Sequence, residues 1–174
     1  VTILDVNVDA LAKLEQIYGN KIETLFSNSS NLRKAITNAD LVIGAVSLPG
    51  ASTPQLIKKA YYKDMRKGSV IVDVAIDQGG STEVSKPTSH ENPTFVVDGI
   101  LHYCVPNIPG AVPFTATEAL NNAIIFYIKM IVNKGLDKAI ADNIVLKRGV
   151  NILNGEVSHE AVAKSLNLEF NSID

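Results

Sequence analysis

The sequence predicts an α/β fold, in which a partial doubly wound parallel sheet is followed by a C-terminal helical segment. Two runs, residues 41–46 and 69–75, are almost continuously apolar, which is typical of parallel strands that helices cover on both faces. Amphipathic stretches of helical period separate the strand candidates, and this alternation indicates βαβ units. After Pro113 the pattern changes to helix signals alone.

The chain opens on a short strand, Thr2–Asp5, that ends in an acidic residue. In dinucleotide-binding folds an acid at the end of the second strand holds the adenosine ribose, and a Gly-x-Gly-x-x-Gly turn lies roughly twenty residues before it. Residues 1–174 contain no such turn. We therefore expect a Rossmann-type sheet that lacks its first βα unit.

The first predicted helix lies between two strand candidates. Asn7 is expected to cap it and Gly19 to end it, with apolar residues at helical spacing between them. The strand Ile22–Phe26 follows, and Ser29 or Ser30 is expected to cap a second helix. One βαβ unit would then continue into the first apolar run.

The two apolar runs are expected to be buried strands. Residues 41–46 predict a central parallel strand, residues 69–75 a second, and residues 94–97 a third and shorter one. Between the first two, the Thr-Pro pair at 53–54 predicts a helix that runs to about Lys63.

A long helix is expected from Thr115 or Thr117 to Asn133, with Gly135 as its stop. Its apolar face is wide, and a wide face buries more than one neighbour. Residues after about Thr115 are therefore predicted to contact another domain or a second copy. The tail carries two further helix signals, at residues 138–142 and 158–166.

Composition excludes several classes of protein. The net charge is −2 with the Lys and Arg residues scattered, so no nucleic-acid footprint is present. Polar residues interrupt every apolar run well before a membrane span, and the three His and one Cys lack metal-ligand spacing. The lone Cys104 excludes an internal disulfide and favours a reducing cytoplasm.

Three acids stand at or near the ends of predicted strands. Asp5 is either a helper of the next helix or an acceptor for ribose hydroxyls, which would favour NAD over NADP by charge repulsion. Asp73 lies within an apolar run and is interpreted as a satisfied strand residue. Asp77 lies past the strand, before Gly79 and Gly80. It could orient a water or stabilise an iminium, or it could form an Asx-turn.

Two loops are the other candidates for a site. Residues 44–50 follow a strand with small side chains, which either lets a ring or sugar approach the backbone or makes a plain tight loop. Asn107 lies in a proline-rich loop and could bind a carboxamide. His102 and Cys104, just before it, are interpreted as structural.

Three motifs together resemble NAD-dependent L-alanine dehydrogenase. They are Asp40-Leu41-Val42-Ile43-Gly44-Ala45-Val46, Val72-Asp73-Val74-Ala75-Ile76-Asp77-Gln78-Gly79-Gly80 and His102-Tyr103-Cys104-Val105-Pro106-Asn107-Ile108-Pro109-Gly110-Ala111-Val112-Pro113. They occur in family order, and the resemblance covers essentially the whole chain. The related transhydrogenase nucleotide-binding subunit shares this architecture, so a non-catalytic nucleotide-binding or interaction module is the alternative.

The resemblance implies oxidative deamination of L-alanine to pyruvate and ammonia, with NAD as cofactor. Asp77 matches the active-site carboxylate beside the nicotinamide, and Asp5 matches the acid that binds the ribose. The other matching cofactor positions are Ser27 at the adenine end, Val46 and Leu56 along the pocket, and Val74, Val105 and Asn107 on the nicotinamide side.

The resemblance also implies that the family's functional residues are divided between an N-terminal and a C-terminal part of the enzyme. The family's substrate-binding Arg and Lys and its catalytic His belong to an N-terminal segment that this chain lacks, so the chain alone is expected to be inactive. Residues 1–114 would form a partial NAD-binding domain, and residues 115–174 a long helix and tail that return toward the substrate domain. The family usually assembles as a cytoplasmic homo-oligomer, a hexamer.

Overall fold

The structure, a computed structural model, describes residues 1–173, which form two compact units. The first unit comprises residues 1–47 and 53–106, and the second comprises residues 48–52 and the chain from Asn107 onward. The domain boundary between residues 114 and 115 stays a prediction.

The first unit contains two sheets. One is a parallel pair of β1 (Thr2–Asp5) and β2 (Glu23–Phe26). The other is built from β3, β4, β5 and β6, which span Leu41–Gly44, Val70–Asp73, Thr94–Val97 and Ile100–Tyr103. Their order across the sheet is β3-β4-β6-β5, with β3, β4 and β6 parallel and β5 antiparallel to β6. The predicted α/β class is confirmed.

Helix α1 (Val8–Tyr18) begins and ends where the sequence predicts. The Asn7 side chain accepts a hydrogen bond from the Ala10 N–H at 3.0 Å, which satisfies one of the free donors of the first turn. Gly19 ends the helix with φ of 56°, a backbone conformation that glycine adopts without strain.

Helix α2 (Ser29–Thr37) begins at Ser29 itself, and neither Ser29 nor Ser30 caps it. The cap is Asn28, whose side chain accepts a hydrogen bond from the Asn31 N–H at 2.8 Å. The serine prediction was wrong because the last extended residue is Asn28, with φ −139° and ψ 168°. Ser29 and Ser30 are the first two residues of the helix.

The core of the first unit lies between the four-stranded sheet and the segments that cover it. It joins α2 to the sheet through Ile36, whose side chain is 3% exposed. The buried members of this cluster are Ile36, Ile57, Tyr62, Met65, Ile71 and Ile100. Burial of such side chains is the main favourable contribution to the stability of the unit.

The helix predicted from residue 53 to Lys63 is absent, and that prediction was wrong. Only a short 3-10 helix, Lys59–Asp64, forms in this segment. The Thr53 N–H is donated to the Gln78 carbonyl at 2.8 Å, and Ile57 forms an isolated parallel bridge with Thr82. These bonds to a distant segment hold the backbone extended, and they override the local helix-start signal.

Strand β3 was predicted to be central and buried on both faces, and the structure contradicts both points. It is an edge strand, and Leu41 and Ile43 are 56% and 61% exposed. Within residues 1–173 no strand pairs with its other edge, and no element covers the face that carries these two side chains. The apolar run therefore identified the strand correctly but not its surroundings.

The short strand predicted at residues 94–97 is confirmed as β5, but its partner β6 was not predicted. The two strands form a hairpin through Asp98 and Gly99, which have φ of 49° and 81°. An Asp-Gly pair between two apolar runs is a strong signal for such a turn. That signal could have identified β6.

The second unit is dominated by α3 (Pro113–Lys134). It starts at Pro113 rather than at Thr115 or Thr117, because proline is well suited to the first turn of a helix. Gly135 ends it as predicted, with its N–H donated to the Ile131 carbonyl at 2.9 Å.

Three short helices and a hairpin complete the second unit. The helices α4 (Leu136–Asp142) and α6 (Glu160–Leu166) confirm the two predicted helix signals. Between them lie α5 (Ile144–Gly149) and the antiparallel pair of β7 (Ile152–Leu153) and β8 (Glu156–Val157), which were not predicted. Within residues 1–173, no helix combines the length and apolarity that crossing a membrane requires.

Candidate functional site

The parallel strands of the larger sheet end together at one edge. Gly44 at the end of β3 pairs with Asp73 at the end of β4, and Val72 pairs with Tyr103 at the end of β6. The segments that leave these strands therefore start side by side. In open α/β sheets this carboxyl edge is where ligands bind.

Three predicted cofactor residues lie in those departing segments. Val46 follows β3 and is half-buried, Val74 follows β4 and is 43% exposed, and Val105 follows β6 and is 1% exposed. Val74 thus presents an apolar surface at the edge. Val105 is part of the packed interior beneath it, where it can shape the edge but has little surface of its own to offer a ligand.

Asp77 lies on a short 3-10 helix, Val74–Gln78, that leaves β4 at this edge. Gly79 ends the helix with φ of 102°, and the Gly80 N–H returns to the Ala75 carbonyl at 3.1 Å. The Asp77 side chain is exposed. A tight turn thus presents a carboxylate to solvent at the carboxyl end of a central strand.

Gly44 is placed where a side chain would not fit. A Cβ atom built on it would lie 2.8 Å from the Cβ of Ser81, closer than such atoms ever approach. The glycine therefore lets the segment after Gly80 pack directly against the end of β3. Of the two interpretations of loop 44–50, this contact favours close packing for Gly44 itself.

The interpretation of Asp73 as a satisfied strand residue is confirmed. It is fully buried, and its carboxylate accepts hydrogen bonds from the Ala75 N–H at 3.2 Å, the Ser81 N–H at 2.8 Å and the Ser85 hydroxyl at 2.5 Å. The two serines could not be identified from the sequence pattern. A buried acid in an apolar run implies donors nearby, but it does not say which.

Three further polar side chains are buried beside Asp73. The His102 ring stacks on Phe95 with 4.9 Å between centroids, and burial lowers its pKa although Asp73 opposes the shift. Burial likewise raises the pKa of the Cys104 thiol, and it raises the pKa of Tyr62 to about 12. All three are neutral near pH 7, which supports a structural role for His102 and Cys104.

Asp5 and Ser27 meet at the end of the smaller sheet. The Ser27 N–H donates to the Asp5 carbonyl at 2.9 Å, immediately after the last residue pair of β1 and β2. The exposed Asp5 carboxylate accepts the Asn7 N–H at 2.7 Å, so it does assist the start of α1. A carboxylate has about four acceptor sites, and this bond leaves it able to accept ribose hydroxyls as well.

The two remaining predicted residues are Leu56 and Asn107. Leu56 is half-buried next to Ile57, the residue that pairs with Thr82. Asn107 belongs to the second unit, where it is exposed and left-handed with φ 52° and ψ 53°, and its carbonyl accepts the Gly110 N–H at 2.8 Å. Within residues 1–173, no group of three or more His, Cys, Asp or Glu side chains could hold a metal ion.

The polar side chains at these strand ends are suited to hydrogen bonding with a nucleotide cofactor. An exposed acid ends β1, a hydroxyl residue follows β2, and a second exposed acid follows β4 at the sheet edge. A parallel α/β sheet with these features defines a nucleotide-binding domain of the Rossmann class.

Comparison with known proteins identifies the family within this class. The family model described as "Alanine dehydrogenase/PNT, C-terminal domain" matches residues 1–160. The chain therefore belongs to the family of alanine dehydrogenase and PNT C-terminal domains.

Two relatives named alanine dehydrogenase show how much of the whole protein is represented. The chain is 52% identical to that of Methanococcus maripaludis and 50% identical to that of Bacillus subtilis, over 171 residues in each case. The matches cover 98% of this chain but only 46% and 45% of the relatives. The chain thus spans about half the length of these relatives.

Solved structures agree with this assignment. An L-alanine dehydrogenase superposes with a TM-score of 0.82 at 47% identity, covering 96% of this chain and 46% of that one. A transhydrogenase from Sinorhizobium meliloti superposes with a TM-score of 0.67 at 22% identity, covering 92% and 42%. The second likeness supports the Rossmann-type fold alone.

Proposed function

We propose that this chain forms the cofactor-binding side of an enzyme that oxidatively deaminates L-alanine to pyruvate and ammonia with NAD. The observation that carries the proposal is the identity of about half with two alanine dehydrogenases over 98% of the chain. The exposed carboxylate of Asp77 at the sheet edge supplies a group suited to this chemistry.

Asp77 has a defined task in the proposed reaction. L-alanine gives up a hydride from Cα and a proton from its ammonium group, which leaves an iminium ion. Water then adds to this carbon, a proton moves from the added water to the nitrogen, and the C–N bond breaks to leave pyruvate, ammonia and one further proton. Bound NAD would accept the hydride on its nicotinamide ring. A fixed carboxylate beside the reacting carbon stabilises the positive charge and orients the attacking water.

The cofactor would be held by residues on both sides of the reacting ring. Asp5 would accept hydrogen bonds from the ribose hydroxyls and repel a 2′-phosphate, which selects NAD over NADP. The remaining cofactor positions are Ser27, Val46, Leu56, Val74, Val105 and Asn107.

We further propose that the working enzyme is a cytoplasmic homo-oligomer, with a hexamer as the expected assembly. Helix α3 supports an oligomeric interface, because none of the side chains of residues 113–134 is buried. Phe114, Val132 and Phe126 are 82%, 76% and 60% exposed. Apolar surface of this extent marks an interface.

The alternative is a non-catalytic nucleotide-binding module of the transhydrogenase type. It shares the fold, but the identity to that structure is 22%, against 47% for an L-alanine dehydrogenase. The identities therefore favour the dehydrogenase.

A complementation assay tests the proposal. Residues 1–174 would be assayed for NADH formation from L-alanine, first alone and then joined to the N-terminal part of the Bacillus subtilis relative. We expect no activity from the chain alone, because it positions only part of the site. We expect activity from the joined, folded protein.

A folded, NAD-binding chimera that does not oxidise L-alanine would overturn the proposed reaction. Activity of residues 1–174 alone would refute the division of the site. The Bacillus subtilis N-terminal part, assayed by itself, is the control for background.

A further inference from the structure

The residues between β4 and Ser81 form the loop that carries Asp77. One buried carboxylate accepts hydrogen bonds at both ends of this loop. We propose that Asp73 is a positioning residue: its carboxylate holds this loop, residues 74–80, in the conformation that Asp77 needs. The proposal rests on the proposed function, in which Asp77 acts on the substrate.

The burial of Asp73 is the first observation. Its side chain is 0% exposed at the end of a strand that is otherwise Val70, Ile71 and Val72. A carboxylate in such a place is costly unless hydrogen bonds compensate for the lost water. The bonds that compensate here are therefore integral to the local structure.

The second observation is the position of the groups that donate these hydrogen bonds. One carboxylate oxygen of Asp73 accepts the Ala75 N–H at 3.2 Å, at the start of the loop. The other accepts the Ser81 N–H at 2.8 Å, directly after the loop ends. Asp77 lies between these two anchored points, so one side chain restrains the loop from both directions.

A third donor ties this arrangement to the next segment. The Ser85 hydroxyl donates to the same oxygen of Asp73 as Ser81 does, at 2.5 Å. Inside the loop, the Gly79 and Gly80 N–H groups return to the Ile76 and Ala75 carbonyls, both at 3.1 Å. Two sets of hydrogen bonds therefore hold the loop: those within it and those to the Asp73 carboxylate.

Steric contacts leave this arrangement little freedom to shift. A Cβ atom on Gly80 would lie 2.5 Å from the Ser85 Cβ and 3.0 Å from the Asp73 carboxylate. The space beside Gly80 is therefore already filled by Ser85 and the carboxylate. A site held by packing and by supporting hydrogen bonds of this kind is preorganised for catalysis.

Hydrogen exchange on residues 1–174 tests the restraint without any activity. Asp73→Asn keeps the shape of the side chain but has one acceptor oxygen instead of two, so it cannot accept hydrogen bonds at both ends of the loop. We expect amides of residues 75–81 to exchange about tenfold faster or more, the effect of losing a buried hydrogen bond. The Ser27 amide, at the end of the other sheet, should keep its rate.

Two further variants keep the test decisive. Asp40→Asn removes an exposed acid that pairs with Arg66, and it should change neither set of amides. Ser85→Ala removes one donor and leaves the carboxylate, so it should speed exchange around residues 79–81 by a smaller factor. If Asp73→Asn does not fold, Ser85→Ala decides the matter, and unchanged loop protection in that variant overturns the proposal.

Kinetics of the joined enzyme then test whether the restraint serves Asp77. We expect Asp73→Asn to lower kcat about tenfold per folded enzyme while the NAD KM stays within about twofold, because the ribose side is untouched. A purely structural role would reduce the folded fraction but not this kcat. A loosened loop with unchanged kcat, in an enzyme that Asp77→Asn impairs, would contradict the proposal.

A failure of the proposed function would give a different result from a failure of the Asp73 proposal. If Asp77→Asn leaves kcat unchanged, the role of Asp77 falls, whereas the hydrogen-exchange result still decides whether Asp73 holds the loop.

Discussion

At the residue scale, the acids near the strand ends differ in burial, and burial separates their roles. Asp73 is fully buried, and its carboxylate accepts hydrogen bonds from neighbouring groups of the chain. Asp5 and Asp77 are exposed. A buried carboxylate is retained through its hydrogen bonds, while an exposed one at a sheet edge can meet a ligand. Sequence pattern alone left Asp5 and Asp77 with two interpretations each.

In the joined enzyme, Asp5→Ala should raise the KM for NAD and weaken the preference for NAD over NADP. Charged hydrogen bonds contribute about 1.5–3 kcal/mol, so about a tenfold rise is expected with kcat for alanine largely unchanged. Steady-state kinetics with both cofactors measure this. Because Asp5 also accepts the Asn7 N–H, Asp5→Asn separates loss of charge from loss of that bond.

Asp9→Ala is the matched control, because Asp9 is an exposed acid in the first turn of α1. It should leave both cofactor constants unchanged. An unaltered cofactor preference in Asp5→Ala would show that Asp5 only assists the helix.

His102 should make the chain sensitive to mild acid. Burial lowers its pKa below the ordinary value of 6.5, so the unfolded chain binds the proton more readily than the folded one. The stability that the neutral ring contributes is complete above about pH 6.5 and is lost as the pH falls through the lowered pKa. Urea unfolding at a series of pH values measures this loss.

His102→Phe keeps a ring against Phe95 and cannot be protonated, so it should flatten the dependence between about pH 7 and pH 5. His90→Gln, at an exposed position, should not. Equal acid sensitivity in wild type and His102→Phe would show that another group is responsible.

At the element scale, Gly44 connects β3 to the loop of Asp77. Gly44→Ala should destabilise the chain by about 1–3 kcal/mol, because an added methyl group overpacks a filled site and would meet Ser81. Gly149→Ala is the matched control, since a Cβ there meets nothing within 4 Å. Denaturant midpoints compare the two, and equal midpoints would refute the contact.

Elements with local signals could be predicted from the sequence, and elements held by distant contacts could not. Asn7, Gly19 and Gly135 act within one helical turn, so α1 and the end of α3 were predicted correctly. The segment from residue 53 to Lys63 failed because Gln78 and Thr82, far along the chain, hold it extended. No local pattern reports such partners.

The candidate site shows the same division. Pattern and resemblance located Asp77 just past a predicted strand of residues 69–75, whereas β4 ends at Asp73 and Asp77 lies on the 3-10 helix that follows it. The donors that hold its loop, Ser81 and Ser85, could not be recognised, because they follow the acid they serve by eight and twelve residues. Whether the predicted cofactor residues bind NAD stays a prediction.

At the scale of the whole molecule, the exposed apolar side chains of α3 predict self-association of residues 1–174. Leu120→Lys, which places a charge where a side chain is 60% exposed, should lower the mass seen by light scattering. Asn121→Lys adds the same charge at a neighbouring polar position and should not. A monomer at every concentration, in wild type and both variants, would contradict self-association through α3 and leave another domain as the predicted partner of this face.

The central claim is that Asp77 carries out chemistry in an alanine-oxidising enzyme. The most direct measurement is kcat for NADH formation from L-alanine by the joined enzyme with Asp77→Asn, beside Glu91→Gln as an exposed acid elsewhere in the first unit. The substitution keeps the shape and removes the charge. We predict a fall of about a hundredfold or more for Asp77→Asn, with an unchanged NAD KM and no effect of Glu91→Gln. An unchanged kcat in a folded Asp77→Asn enzyme would contradict the claim.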